Sequence, residues 1–174
     1  MSHSQDNKCQ TVSWAVGDAP LELGPCIAAI GNFDGVHRGH GKVIEAAIDA
    51  AQKAGVAAAV VTFDPHPREF FRHDDVPFCL ADRIEKDRLL AAAGVDRVIH
   101  VTFDDNLRCT DAAAFVTDIL PAIGVTGLFA GSDFAFGRGR GGDIDTINAM
   151  GADIDITATA VPLLSDENSA VISS

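Results

Sequence analysis

Short apolar runs alternate with helix-forming stretches along most of this chain. Residues 26–30 form the first run, followed by a glycine-rich turn and a helical stretch over 42–53 that Gly55 stops. Residues 56–63 form a second run, long enough for a buried strand. A helix over 82–93 opens with Asp82 and Glu85, spaced like an N-cap and its N3 partner, and closes at Gly94. Strands are expected over 97–103, 127–131 and 156–161, with helices over 111–119, running into Pro121 and Gly124, and over 143–150, ended by Gly151. Continuous apolar strands suit a parallel sheet covered on both faces, and this alternation implies βαβ crossovers. The expectation is one α/β domain over 1–174, a doubly wound, Rossmann-like parallel sheet of about five strands. In such a sheet ligands bind beyond the carboxyl ends of the strands, which directs attention to the loops after the first, second and fourth runs.

Bulk chemistry narrows the partners. The net charge is −12, and such a surface repels nucleic acid and anionic membrane. No apolar run approaches the roughly 20 residues a membrane-spanning helix needs. The polar first residues lack the apolar stretch of a secretory leader, so a cytoplasmic protein is expected. Cys9, Cys26, Cys79 and Cys109 are widely spaced, which argues against a zinc ribbon or redox pair and for reduced thiols, with Cys26 a small buried hydrophobe. Phosphate must then be bound by local groups: backbone N–H, a few cations or a metal ion.

The first loop reads Gly31-Asn32-Phe33-Asp34-Gly35-Val36-His37-Arg38-Gly39-His40. With a helix beginning near Val36, His37 and His40 fall in its first turn, roughly on one face. Gly39 removes a side chain between them, so a ligand can approach the backbone where free N–H groups favour an anion. Two imidazoles there can donate to phosphoryl oxygens as charge builds on them. Two histidines alone would equally suit a solvated surface or half a metal site; the glycines and the strand-to-helix position favour the anion site. The loop is neither Gly-x-Gly-x-x-Gly nor a Gly-Lys-Ser/Thr phosphate loop.

The second loop, Phe63-Asp64-Pro65-His66-Pro67, is stiffened by its prolines. His66, Phe63, Phe70 and Phe71 can wall a flat heterocycle, although Phe70 and Phe71 suit a rigid connector's core better. One histidine between prolines has no second metal ligand at useful spacing. The loop after the fourth run reads Gly131-Ser132-Asp133-Phe134-Ala135-Phe136-Gly137 and continues through Arg138 and Arg140 among glycines. Such a loop is expected to be mobile and to fold its arginines over phosphates.

These strings together resemble the FAD synthetases, the FMN adenylyltransferase modules of bacterial bifunctional riboflavin kinase/FAD synthetases. That family belongs to the His-x-Gly-His nucleotidylyltransferases. The resemblance rests on Gly31 to His40, on Phe-Asp-Pro-His-Pro at 63–67 and on Gly-x-Asp-Phe-x-Phe-Gly at 131–137, with residues 80–86 similar around the family's central helix. It implies a sheet of the nucleotidylyltransferase type and transfer of AMP from ATP to FMN, giving FAD and pyrophosphate. It implies His37 and His40 as catalytic residues. It places Gly31, Asn32, Phe33, Asp34, Gly35, Gly39, Arg138, Arg140, Ser173 and Ser174 on ATP, and Asp64, Pro65, His66, Pro67, Asp133 and Phe134 on FMN. Mg2+ is expected with ATP, bridging its phosphates, held mainly by substrate oxygens and water. ATP and FMN are the expected partners, with no nucleic acid or membrane.

The family carries Ile-Ser-Ser-Thr and then Arg where this chain reads Ile172-Ser173-Ser174 and ends. The expectation is an adenylyltransferase domain broken off inside that motif, without the kinase module of its relatives, and with weakened ATP binding. Two alternatives stay open: a flavin- or nucleotide-binding module without turnover, and nucleotidyl transfer to another phosphorylated small molecule.

Overall fold

The computed structural model describes residues 9–31, 38–64, 80–132 and 134–162; the side chains of residues 38–40, 80–83 and 140 lie outside that description. The element order is β1 (Gln10–Trp14), β2 (Cys26–Ile30), α1 (Arg38–Ala54), β3 (Ala57–Asp64), α2 (Leu80–Ala92), β4 (Arg97–Thr102), the single turn α3 (Asp105–Arg108), α4 (112–122), β5 (Val125–Gly131), α5 (Ile144–Gly151) and β6 (Thr157–Val161). All six strands run parallel in the order β1-β4-β3-β2-β5-β6.

Each strand splits its side chains between two cores, as the pleat requires. Ala28 and Ile30, Ala59 and Val61, Ile99 and Val101, and Leu128 and Ala130 face α4 and α5. Ala29, Val60 and Val98 face the other way, against Val43, Ile44 and Ala47 of α1 and Leu90 of α2. The continuous apolar runs therefore mean what they predict, a sheet covered on both sides. Cys26 is fully buried, as expected; burial raises its thiol pKa, and the adjacent Arg97 guanidinium opposes that rise. Arg97 also ties down the chain entering β2, donating from Nη1 to the Gly24 carbonyl at 3.1 Å and from Nη2 to the Leu23 carbonyl.

Four expectations change. The sheet has six strands rather than about five, because β1 pairs with β4 at the sheet edge. Its sequence, Gln-Thr-Val-Ser-Trp, is polar on one face, so it lacks the apolar density of the inner strands; Trp14 is nevertheless buried, its indole N–H donating to the Ala19 carbonyl. Helix α1 begins at Arg38 and α2 at Leu80, each earlier than its apolar pattern suggests. Position 82 thus falls inside α2 rather than ahead of it, and Glu85 pairs with exposed Arg88 one turn on. Helix α4 is capped by Asp111, which accepts from the Ala114 N–H at 2.8 Å, and it runs on through Pro121. A π turn over Phe115–Ile119 precedes the proline, and a wider turn absorbs the ring and the missing N–H that would break an α-helix there.

Candidate functional site

Strand β2 lies between β3 and β5. From β2 the chain first builds outward through β3 and β4, then returns to lay β5 and β6 on the other side. The gap between the carboxyl ends of β2 and β5 is therefore the topological switch point, where open α/β sheets take their ligands.

Three of the sequence-predicted loops leave the sheet there, from the ends of adjacent strands. Gly31 follows β2, and its N–H donates to the Val61 carbonyl of β3 at 3.1 Å, which fixes where the chain departs. Helix α1 then starts at Arg38, so Gly39 and His40 belong to its first turn. Val43, Ile44, Ala47 and Ala51 bury one face of α1 against the sheet, which holds its N-terminus above the switch point. The first-turn N–H groups of a 17-residue helix have no intrahelical partners and carry the positive end of its dipole. Asn32, Phe33, Asp34, Gly35 and His37 lie outside the described residues, as does the His40 side chain.

Asp64 ends β3 half-buried, its carbonyl accepting the Phe103 N–H at 3.0 Å. Phe63, expected to wall a heterocycle, packs against the core and meets Phe103 edge-on at 6.5 Å. Pro65, His66 and Pro67 lie outside the described residues, with Phe70 and Phe71.

Gly131 ends β5 and accepts the Phe134 N–H at 3.0 Å, turning the chain back. Phe134 stacks on Phe136 with centroids 5.7 Å apart, and Phe136 is buried against Phe115 of α4 at 4.8 Å. Phe136 and Gly142 exchange both backbone hydrogen bonds, at 3.0 and 2.9 Å, and so close the arginine-glycine loop on itself. Arg138 is exposed at the head of a 3₁₀ turn, Arg138–Arg140. A two-bond bridge anchored by a buried phenylalanine thus closes the loop and presents Arg138 to solvent. Asp133, the Arg140 side chain, Ser173 and Ser174 lie outside the described residues.

Gly31, Asp64 and the turn at Phe134 thus lie at or just beyond the carboxyl ends of β2, β3 and β5, with the first turn of α1 after β2, while Arg138 stands on the loop docked at Thr110. Sequence reasoning overlooked the connection between β4 and α4, on which the arginine loop rests: the Arg138 N–H donates to the Thr110 carbonyl at 2.8 Å. A backbone acceptor has no sequence signature. Among the described residues no group of three or more His, Cys, Asp or Glu is placed to hold a metal ion, and no helix is long and apolar enough to cross a membrane.

A family model described as FAD synthetase matches residues 20–174. A bifunctional riboflavin kinase/FMN adenylyltransferase of Pseudomonas fluorescens is 42% identical over 136 residues, covering 78% of this chain and 43% of that protein. One of the same description from Escherichia coli K12 is 39% identical, covering 83% and 46%. An FAD synthetase of Listeria monocytogenes is 34% identical, covering 85% and 60%. The chain therefore spans about half the length of the curated relatives it matches. The crystal structure of a macrolide-efflux protein from Streptococcus pneumoniae superposes with a TM-score of 0.76 at 22% identity, covering 94% of this chain and 53% of that one; the likeness is one of fold.

Proposed function

The chain belongs to the FAD synthetase family, and from that premise we propose that residues 1–174 are a single FMN adenylyltransferase domain, transferring AMP from ATP to FMN and releasing pyrophosphate. The observation that carries the reading is the placement of the first turn of α1, with His40 in it, at the switch point between β2 and β5.

An oxygen of the FMN phosphate attacks the α-phosphorus of ATP. A new P–O bond forms, the bond to the bridging oxygen breaks, and pyrophosphate leaves with that electron pair. The nucleophile is already an anion, so no serine or cysteine need be activated. The protein's part is positioning and neutralisation of charge. His37 and His40 donate to the α-phosphoryl oxygens, whose charge rises in the transition state. The amides from Gly31 to Gly35, with Gly39, take the nucleotide close to the backbone. Arg138 and Arg140 hold the outer phosphates with their planar donor forks, and Ser173 and Ser174 add hydroxyl and amide donors. Asp64, Pro65, His66, Pro67, Asp133 and Phe134 face FMN. Mg2+ bound to ATP would take its ligands mainly from substrate oxygens and water rather than from this chain, and would help to neutralise the phosphate charge. A cytoplasmic location, where both substrates are made and used, completes the proposal.

The test incubates the chain with ATP, Mg2+ and FMN and follows FAD and pyrophosphate together. Equal amounts of both support adenylyl transfer. Tight FMN or ATP binding without either product points instead to a binding module, and FAD without pyrophosphate contradicts the proposed bond cleavage.

A further inference from the structure

The arginine loop docks on a platform built from two helix caps set back to back. In the first, Asp104 accepts the Leu107 N–H at 2.9 Å and starts α3, whose Leu107 is buried in the main core. Thr110 closes that turn twice, its N–H donating to the Leu107 carbonyl at 3.0 Å and its hydroxyl to the Asn106 carbonyl at 2.7 Å. In the second, Asp111 caps α4 at once. The carbonyl of Thr110 and the backbone and methyl of Ala112 are therefore held by core and caps before the loop arrives.

Two glycines of the loop close on Ala112 from opposite ends. A Cβ on Gly137 would lie 2.9 Å from the Ala112 nitrogen and 3.3 Å from its Cβ. Gly137 also has φ 79 and ψ 170, a conformation that is essentially glycine's alone. A Cβ on Gly142 would lie 2.9 Å from the Ala112 Cβ and 2.6 Å from the Phe136 ring. Gly139, at the tip, meets nothing within 4 Å. The tight contacts thus sit where the loop's two arms cross the platform, and the arginine-bearing tip stands clear.

We propose that Ala112, with the Thr110 carbonyl, is a positioning residue for ATP: it seats Gly137 and Gly142 and so fixes where Arg138 meets the phosphates. The proposal rests on the phosphate role given to Arg138 above. Ala112 touches no substrate and acts only through the loop. A methyl is the side chain that fits, because a larger one collides with both arms and none at all leaves them unseated.

The experiment compares Ala112→Val, Ala112→Gly, Arg138→Ala and the double variant Ala112→Val/Arg138→Ala. It measures KM for ATP, kcat and backbone amide exchange. Ala112→Val should speed exchange at the Arg138 and Gly142 amides and raise KM for ATP roughly tenfold, the scale of one lost charge-assisted hydrogen bond, with a smaller change in kcat. Ala112→Gly cannot overpack, and should open the same amides while the rest of the chain keeps its protection. In the Arg138→Ala background the valine should leave KM where Arg138→Ala has put it. Amides that stay protected in both Ala112 variants overturn the proposal, and so does a KM penalty from the valine that persists undiminished without Arg138. Unchanged KM in Arg138→Ala, beside opened amides in Ala112→Val, removes the phosphate role of Arg138 and leaves the platform standing.

Discussion

Replacing Gly151 by alanine sets two effects of opposite sign against each other. Gly151 is the last residue of α5, with φ −82 and ψ −12, a conformation alanine adopts freely. On conformational grounds alone the change should stabilise the fold by about 0.4–1 kcal/mol. The space is the obstacle. A Cβ there would lie 2.5 Å from the Ile156 carbonyl oxygen and 3.1 Å from the Ile156 Cβ. The oxygen belongs to the backbone, so no rotamer can relieve the clash, and Ile156 is itself buried in the main core. Parting the two segments strains the Ile156 N–H bond to the Gly151 carbonyl at 2.9 Å, and then the paired bonds between Asn148 and Ala158 at 2.9 and 2.8 Å. Overpacking costs about 1–3 kcal/mol and one weakened hydrogen bond about 1 kcal/mol. The net is a loss of about 2 kcal/mol, or roughly 4–8 °C in Tm for a domain of this size. Thermal unfolding followed by circular dichroism reads it directly. Gly41→Ala in α1 is the matched control: a Cβ there meets nothing within 4 Å, so its Tm should rise. If Gly151→Ala melts at or above the wild type, the close approach of α5 to β6 is not what requires glycine, and the reasoning fails.

Two further outcomes are expected. His40→Ala should lower kcat for FAD formation by about 100- to 1000-fold, the usual loss for one transition-state donor, with a much smaller change in KM for ATP; an unaltered kcat removes His40 from the reacting centre. Cys26 has its thiol pKa raised, by burial first, so the fold favours the protonated form. Stability from this group is intact below the ordinary thiol value of about 8.5 and falls as pH rises above it, because only the unfolded chain ionises readily there. Urea midpoints under reducing conditions should fall less steeply between pH 8 and about 10 in Cys26→Ala than in the wild type, and parallel slopes would contradict the assignment.

The sequence speaks most clearly where one physical cause dominates. Burial on both faces writes itself as unbroken runs such as Ala59-Val60-Val61, so the inner strands and the doubly wound sheet are legible, and Gly31 and His40 fall where the alternation puts them. Signals weaken where causes compete. β1 has one wet face, and half its residues read as loop. Asp82 has the spacing of a cap, but α2 starts two residues sooner. Pro121 reads as a stop, and only the π turn before it lets α4 continue. The glycines around Arg138 read as freedom, whereas Gly142 is closed in by the Phe136 ring and Ala112, and Gly137 by Ala112 and its own positive φ. Composition cannot separate those two reasons for glycine; only the far side of the contact can.

The edge position of β1 also bears on the order in which the molecule assembles. Gln10 to Trp14 pair with Arg97 to Val101, so β1 has no partner in this sheet until β2, β3 and β4 have all followed it in sequence. The inner pairs β2 with β3 and β3 with β4 close far shorter loops and can form before it, since chain-closure entropy grows with the length enclosed. Trp14 ends that strand and is the one tryptophan of these 174 residues. Its fluorescence is therefore a clock for a single event, the docking of the amino-terminal strand onto a sheet that the rest of the chain has already built.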